Sequence, residues 1–406
     1  MPDLEIAPVI LCLTAGVTYV NSRFVRLPAG IGLMAIALVG SLLLLLLDRV
    51  GVLEAAPVQH VVARANFGET LLHGLLGLML FAGALQLDVS ALKAQRLPVI
   101  VLALGGTLLS TVLVGGGVYA VLDLLGHPLP LVEAMLFGAL ISPTDPIAVL
   151  SMLKVSKVPE ELSIQIAGES LFNDGVGVVV FTVVLAIASG DHVSAGGAVW
   201  LFMRVAFGGA AFGLAMGVAA RYLLRGIQGH AVQVLITLAL VMGGYALAER
   251  LDLSAPIAAV VAGLVVGHVQ RKRDDGLVVF WELIDEVLNA IVFVMLGLEV
   301  TRLVMTPWLA VAAAVTLPLV LVARFVSVTA SLAVVRPFAR KARTHALAIL
   351  TWGGLRGGLS FALALSLPAG RYRDELLAMT YVVVCFAILV QGMTLAKLLR
   401  YLGMAT

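Results

Sequence analysis

Two short segments concentrate the side chains that could do chemistry. The first reads SPTDP at 142–146, and the second reads GESLFND at 168–174. Both lie inside otherwise apolar stretches, and they hold two aspartates, a glutamate, an asparagine, a threonine and two serines. A carboxylate inside a membrane is costly unless it is paired or solvated, so acids there usually mark a functional site. The remaining sequence must therefore show whether these stretches cross a membrane.

The composition is that of a polytopic membrane protein. Of the 406 residues, 61% are hydrophobic and 12% are charged, whereas soluble domains are about 25% charged. The net charge of +2 argues against a nucleic-acid partner. Cys12 and Cys385 both lie in apolar runs and support neither a disulfide framework nor a metal cluster. We therefore expect no cofactor. The N-terminal MPDLEIAP has no basic region, so we expect no cleaved signal peptide.

Apolar runs of membrane-spanning length recur along the whole chain. A spanning helix needs about 20 mostly apolar residues. The sequence predicts an all-α polytopic protein with about thirteen transmembrane helices, in the runs 5–21, 29–47, 68–88, 97–122, 131–152, 162–188, 198–220, 230–249, 254–270, 279–300, 307–334, 344–367 and 375–398.

The basic residues predict the orientation. With the N-terminus outside and the C-terminus in the cytoplasm, inside loops hold 17 of the 26 lysines and arginines and outside loops hold 6. This bias is the one found in proteins of the cell (inner) membrane. Three further arginines lie within runs. Several of the inside residues fall in short basic clusters, among them Lys154, Arg271, Lys272, Arg273 and Arg336.

Thirteen runs divide into two inverted halves around a linker. We expect a first repeat at 1–190, a linker helix at 198–222 and a second repeat at 229–400. The fifth run of the first half carries Pro143 and Pro146, and the fifth run of the second carries GGLRGG at 353–358. Helices broken at matching positions mark the binding site in transporters built from inverted repeats.

The prolines predict what the first break exposes. Proline lacks an N–H and clashes with the carbonyl four residues back. Pro143 therefore frees the carbonyl of Ala139, and Pro146 frees that of Ser142. Unwound backbone at membrane depth is tolerated only against protein or a wet cavity. Oxygen ligands, here including Thr144 and Asp145, suit hard cations.

The GESLFND segment supplies the second wall of the predicted site. Ser170 and Asp174 are four residues apart and share a helix face, and Glu169 and Asn173 share the adjacent one. Asp174 lies near the middle of its run, where desolvation penalises the charged form. A carboxyl there can exchange a proton for a cation near neutral pH, which is the minimum that an antiporter requires.

Two arginines within the second half need partners. Arg324 and Arg356 are predicted to be buried cations, and a buried cation is costly unless it is paired. We favour a structural ion pair between Glu169 and Arg324, with Glu169–Arg356 as the alternative. Either pairing leaves Asp145 and Asp174 to the transported ion.

The motifs resemble those of a known family. ISPTDPIAV, GESLFNDG and GLRGG, together with FVMLGLEV at 293–300 and SAPIAAVVAGLVVG at 254–267, are similar to the signature segments of the monovalent cation:proton antiporter-1 family, the NhaP-type and sodium/proton exchanger group. The resemblance covers nearly the whole chain. It implies a homodimer in the lipid bilayer, with core helices within 97–190 and 307–400 and dimerisation helices within 5–88 and 229–301.

The resemblance also implies how the ion is held. The cation would bind Asp174, Asp145, Ser170 and the Thr144 carbonyl, with Asn173 in support. It implies electroneutral exchange as well, because this family has asparagine where electrogenic relatives carry a second aspartate before the essential one.

The leading hypothesis is therefore a secondary transporter that exchanges Na⁺ or Li⁺ for H⁺. A K⁺/H⁺ antiporter is the near alternative, because the motif does not determine ion size. An intramembrane aspartyl protease also needs two aspartates, but its YD and GxGD motifs are absent. The acids Glu282, Asp285 and Glu286 leave two interpretations open. They either complement a helix N-terminus, or form a cytoplasmic mouth that collects cations or a pH sensor.

Overall fold

The protein is a bundle of helices joined by short connections. The computed structural model describes residues 6–153, 156–189, 194–227, 229–270, 275–335 and 340–404. With each continuous rod counted once, these residues form sixteen helices: α1 (Ile6–Val25), α2 (Ala29–Arg49), α3 (Ala56–Gln86), α4 (Val89–Ala94), α5 (Arg96–Leu124), α6 (Leu131–Ile141), α7 (Ile147–Leu153), α8 (Glu160–Ala188), α9 (Ala195–Leu223), α10 (His230–Arg250), α11 (Ala255–Gln270), α12 (Asp275–Leu298), α13 (Pro307–Val334), α14 (Arg340–Trp352), α15 (Gly358–Leu365) and α16 (Arg373–Tyr401).

The prediction of an all-helical membrane protein is confirmed. Apart from one isolated bridge, the described ranges contain no β-structure. Nine helices of the described residues are long and apolar enough to cross a membrane: α1, α2, α3, α5, α8, α9, α10, α13 and α16. A chain with this many apolar helices is a multi-pass membrane protein.

Length and composition alone do not give the predicted count of thirteen spans. The remaining apolar helices are short, interrupted or acidic. α6 and α11 are shorter apolar helices, and α12 has sufficient length but carries Glu282, Asp285 and Glu286. The basic residues Lys154, Arg271, Lys272, Arg273 and Arg336, used above for the orientation, lie outside the described residues.

The two predicted breaks are present. α6 ends at Ile141 and α7 begins at Ile147, so the SPTDP segment lies between them. α14 ends at Trp352 and α15 begins at Gly358, on either side of the glycine-rich segment. The missing proline N–H groups account for the first break, and the low helix propensity of glycine favours the second.

The helices pack in two groups that hold the breaks between them. α5, α6, α8, α13, α15 and α16 pack against one another in one group, and α2, α3, α10, α11 and α12 pack in the other. α9 lies along α11, and α8 also contacts α11. Both interrupted rods thus lie among long helices whose side chains can reach the unwound backbone.

A glycine on α8 allows α8 to approach the first break closely. A Cβ at Gly177 would collide with the ring of Pro143. The ring is part of the break itself, so it cannot move away as a flexible side chain would. We therefore expect Gly177→Ala to destabilise the purified protein by about 1 to 3 kcal/mol, the usual cost of overpacking, measured as a lower midpoint of thermal unfolding in detergent.

Gly116→Ala is the matched control. Gly116 lies inside α5, and a Cβ there would meet no atom within 4 Å. Alanine is the better helix former, by roughly 1 kcal/mol, so this variant should unfold at the same or a higher temperature than the wild type. Equal destabilisation of both variants would contradict the close packing of α8 on the break.

Candidate cation site at the crossing of two interrupted helices

The two breaks bond to each other through their backbones. The amide of Asp145 donates to the carbonyl of Leu355 at 2.8 Å, which forms the isolated antiparallel bridge. Gly357 packs directly on Asp145, because a Cβ at Gly357 would collide with the Asp145 carboxylate. One unwound segment thus provides the amide and the other the carbonyl of this hydrogen bond.

Arg356 binds carbonyls at the end of α6. Its Nη1 donates to the carbonyl oxygen of Ser142 and, at 3.0 Å, to that of Pro143. The side chain of Arg356 is buried, with 2% of its surface exposed. The Ser142 carbonyl is the one that Pro146 was expected to free. In the structure this carbonyl is bound by the Arg356 guanidinium.

Asn173 and Ser170 attach α8 to the first break. The amide of Thr144 donates to Asn173 Oδ1 at 3.2 Å, and Asn173 Nδ2 donates to Thr144 Oγ1 at 2.7 Å. The hydroxyls of Thr144 and Ser170 lie 3.2 Å apart. All three residues are buried. Both ends of the Asn173 amide are thus used to position Thr144.

Asp145 and Asp174 are the partly exposed acids of the site. Neither is fully buried, and the residues that precede them, Thr144 and Asn173, bond to each other. Asp145 Oδ1 accepts from the amide of Ile147 at 2.9 Å, at the start of α7. The carboxyls of these two aspartates and the hydroxyls of Thr144 and Ser170 form a group of oxygen donors, the type that suits a hard cation.

Glu169 forms the ion pair that the sequence favoured, outside this group of oxygens. Arg324 Nη1 lies 2.5 Å from Glu169 Oε1, and both side chains are buried. Arg324 also donates from Nε and Nη2 to the carbonyl of Leu350, at 3.2 and 3.0 Å, near the end of α14. Arg356 bonds to carbonyls, so the alternative pairing of Glu169 with Arg356 is not the one formed.

Comparison with known families decides the class of the protein. The sequence profile of the sodium/hydrogen exchanger family, transmembrane region, matches residues 9–401. The chain belongs to this family. Members of the sodium/hydrogen exchanger family are secondary transporters and not enzymes.

Individual relatives and solved structures agree with this assignment. The exchanger is 45% identical to the Na⁺/H⁺ antiporter NhaP of Pseudomonas aeruginosa, over 98% of this chain and 96% of the relative. It is 34% identical to the Na⁺/H⁺ antiporter NhaH of Halobacillus dabanensis, over 98% of this chain and 97% of the relative. Its fold matches that of the sodium proton antiporter MjNhaP1 from Methanocaldococcus jannaschii with a TM-score of 0.76, at 20% identity and covering 99% of both chains.

Sequence reasoning missed two features of the exchanger's site. Thr111, on α5, donates to the hydroxyl of Ser142 at 3.1 Å, and Ser142 Oγ donates to the Gly138 carbonyl at 2.6 Å. α12, which carries Asp285, packs against the end of the second break, because a Cβ at Gly358 would collide with Val292. The polar face of α12 was visible in the sequence, but local patterns do not tell which helix lies opposite.

The buried pair allows a test of the exchanger's stability. Removing one member of a buried ion pair strands the other charge and costs about 3 to 5 kcal/mol. We expect Glu169→Ala to reduce the yield of monodisperse protein and to lower its unfolding midpoint. The double variant Glu169→Ala/Arg324→Met should recover part of the lost yield and unfolding midpoint, because it leaves no unpaired buried charge.

Glu161→Ala is the control for this pair, since Glu161 is an exposed acid in the first turn of α8. That variant should behave like the wild type. A double variant no better than Glu169→Ala alone would show that the stranded charge is not the cause of the instability.

Proposed function

We propose that this protein exchanges Na⁺, or Li⁺, for H⁺ by competition between the cation and the proton for Asp174 and Asp145. The observation that carries the proposal is the crossing itself. The two carboxyls directly follow Thr144 and Asn173, which bond to each other beside unwound backbone, in a chain of the sodium/hydrogen exchanger family. Two like charges at close range in a medium of low dielectric constant repel strongly, so the pair favours taking up one positive charge.

The surrounding residues support a site that holds either ion but not both. The Thr144 carbonyl and the hydroxyls of Thr144 and Ser170 add oxygens to those of the carboxyls. A bound cation neutralises the repulsion between Asp145 and Asp174, and so does a bound proton. Release of one ion therefore prepares the site for the other, and the exchange requires no cofactor.

Asn173 supports electroneutral exchange. It occupies the position before Asp174 and uses both ends of its amide to hold Thr144. Being neutral, it adds no third carboxyl that would carry a further proton. One cation then exchanges for one proton with no net movement of charge.

We also propose the wider architecture expected from the sequence. If α6 with α7 and α14 with α15 each count as one broken span, then α11 and α12 complete a set of thirteen, with the N-terminus outside and the C-terminus in the cytoplasm at the inner membrane. The two packed groups support a division into a core and a dimerisation domain, and hence a homodimer. The proposed units are repeats at 1–190 and 229–400, a linker helix at 198–222, core helices within 97–190 and 307–400, and dimerisation helices within 5–88 and 229–301.

The choice of Na⁺ over K⁺ rests on the relatives. NhaP and NhaH, the antiporters cited above, are both Na⁺/H⁺ antiporters by name. K⁺/H⁺ exchange remains the second candidate, because the same oxygens could hold a larger monovalent ion.

The first test is Asp174→Asn in proteoliposomes. The amide keeps the size of the side chain but neither takes up a proton nor carries the charge that binds a cation. We expect Na⁺-driven dissipation of a pH gradient to fall to background, followed by a pH-sensitive dye, with Na⁺, Li⁺ and K⁺ added in separate runs.

Asp123→Asn, at an exposed aspartate near the end of α5, is the control and should transport like the wild type. Both proteins should elute at the same position from a sizing column. Wild-type exchange in folded Asp174→Asn protein would reject the proposed competition.

The second test addresses charge balance. Proteoliposomes on a solid-supported electrode should give no transport current when Na⁺ is added, although the dye assay reports proton movement under the same ionic conditions. A sustained current that scales with the proton flux would reject one-for-one exchange, while leaving the Na⁺/H⁺ assignment itself intact.

A further inference from the structure

The acids of α12 lie too far along the helix to complement its N-terminus. α12 begins at Asp275, so Asp285 lies roughly 15 Å along the axis at 1.5 Å per residue. The favourable effect of an acid on a helix N-terminus falls off within the first turn. The first of the two interpretations that the sequence left open, in which these acids complement the helix N-terminus, is therefore wrong.

Asp285 stands out among these acids because of its position. It is partly exposed and lies two helical turns before Val292 on the same face of α12. A Cβ at Gly358 would collide with Val292, and a Cβ at Gly357 would collide with the Asp145 carboxylate. The face of α12 that carries Asp285 therefore packs beside the break that contacts Asp145.

A buried amide beside Asp285 provides an independent indication of a ligand. Asn289 lies one turn further along α12, and its Nδ2 donates to the backbone carbonyl of Asp285 at 2.8 Å and to its Oδ1 at 3.0 Å. The residue is only 5% exposed. Its Oδ1 is buried and has no hydrogen-bond partner among the described residues.

An unpaired buried oxygen is unfavourable unless a hydrogen-bond donor, such as water, or a cation binds there. Asn289 Oδ1 and the Asp285 carboxylate are both hard oxygen donors, which are suited to an alkali cation. The amide also holds one carboxylate oxygen in a defined position, so the two donors lie on adjacent turns of one rigid helix.

We propose that Asp285 and the amide oxygen of Asn289 form a second site for a monovalent cation, from which the ion passes to Asp145 and Asp174. This inference rests on the proposed exchange function. A loading site of this kind lowers the cation concentration needed to fill the transport site. It leaves the rate of the filled transporter unchanged, because the exchanging carboxyls are elsewhere.

The experiment measures the apparent KM for Na⁺ and the maximal rate in proteoliposomes. Asp285→Asn and Asn289→Leu should each raise the KM by about tenfold, corresponding to about 1.4 kcal/mol, with maximal rates within about twofold of wild type. Glu286→Gln is the matched control: it removes an equal charge from an exposed neighbour on the same helix, and its KM should change by less than twofold. Unfolding midpoints of all variants are compared with that of the wild type.

Repeating the assay at raised ionic strength, set with choline chloride, separates binding from long-range attraction. If Asp285 only attracted cations from a distance, added salt would screen that attraction, because the Debye length is about 8 Å at physiological ionic strength and shorter above it. The KM increase in Asp285→Asn should therefore persist. Its loss in choline, an unchanged KM, an equal effect in Glu286→Gln, or a fall in maximal rate at constant KM would each overturn the second site.

These outcomes are distinct from failure of the exchange mechanism. If Asp174→Asn retains exchange, the proposed function fails. If Asp174→Asn is inactive and Asp285→Asn has the wild-type KM, the function stands and only the second site is rejected.

Discussion

Satisfying unwound backbone inside a membrane is the constraint on which this structure depends. Lipid offers no partner for a free N–H or carbonyl group, so each broken helix must find one within the protein. The two breaks partly meet this need by bonding to each other, through Asp145 and Leu355. Two arginines satisfy further carbonyls: Arg356 binds those of Ser142 and Pro143, and Arg324 binds that of Leu350. A cation near the C-terminal end of a helix is also favoured by the helix dipole.

The same arrangement separates a buried, paired charge from two partly exposed carboxyls. Arg324 is neutralised by Glu169, and both are buried, whereas Asp145 and Asp174 keep some exposure. Breaking a buried ion pair is strongly unfavourable, so Glu169 stays bound to Arg324, while Asp145 and Asp174 remain accessible. Asn173 fits this division, because it positions Thr144 without adding charge. The site thus combines a rigid polar frame with two accessible carboxyls.

Much of this could be predicted from the sequence, because the relevant signals are local. Apolar length indicated the helices, and Pro143, Pro146 and the glycines of 353–358 indicated the breaks. Which arginine meets which group depends on contacts between residues far apart in the chain. The sequence favoured Glu169 with Arg324, but nothing in it indicated that Arg356 would take the Ser142 carbonyl. The packing of α12 against the second break, through Val292 and Gly358, was hidden for the same reason.

The charged residues of the crossing come from opposite halves of the chain. The acids Asp145, Glu169 and Asp174 precede the arginines that surround them, and Arg324 follows Glu169 by 155 residues. At a synthesis rate of about 5 to 20 residues per second, roughly 8 to 30 s separate the two during translation. Throughout that interval the first half holds a carboxylate whose guanidinium does not yet exist. Assembly of the crossing is therefore a late step of biogenesis, and the Glu169 carboxyl must be hydrated or protonated until Arg324 has been synthesised.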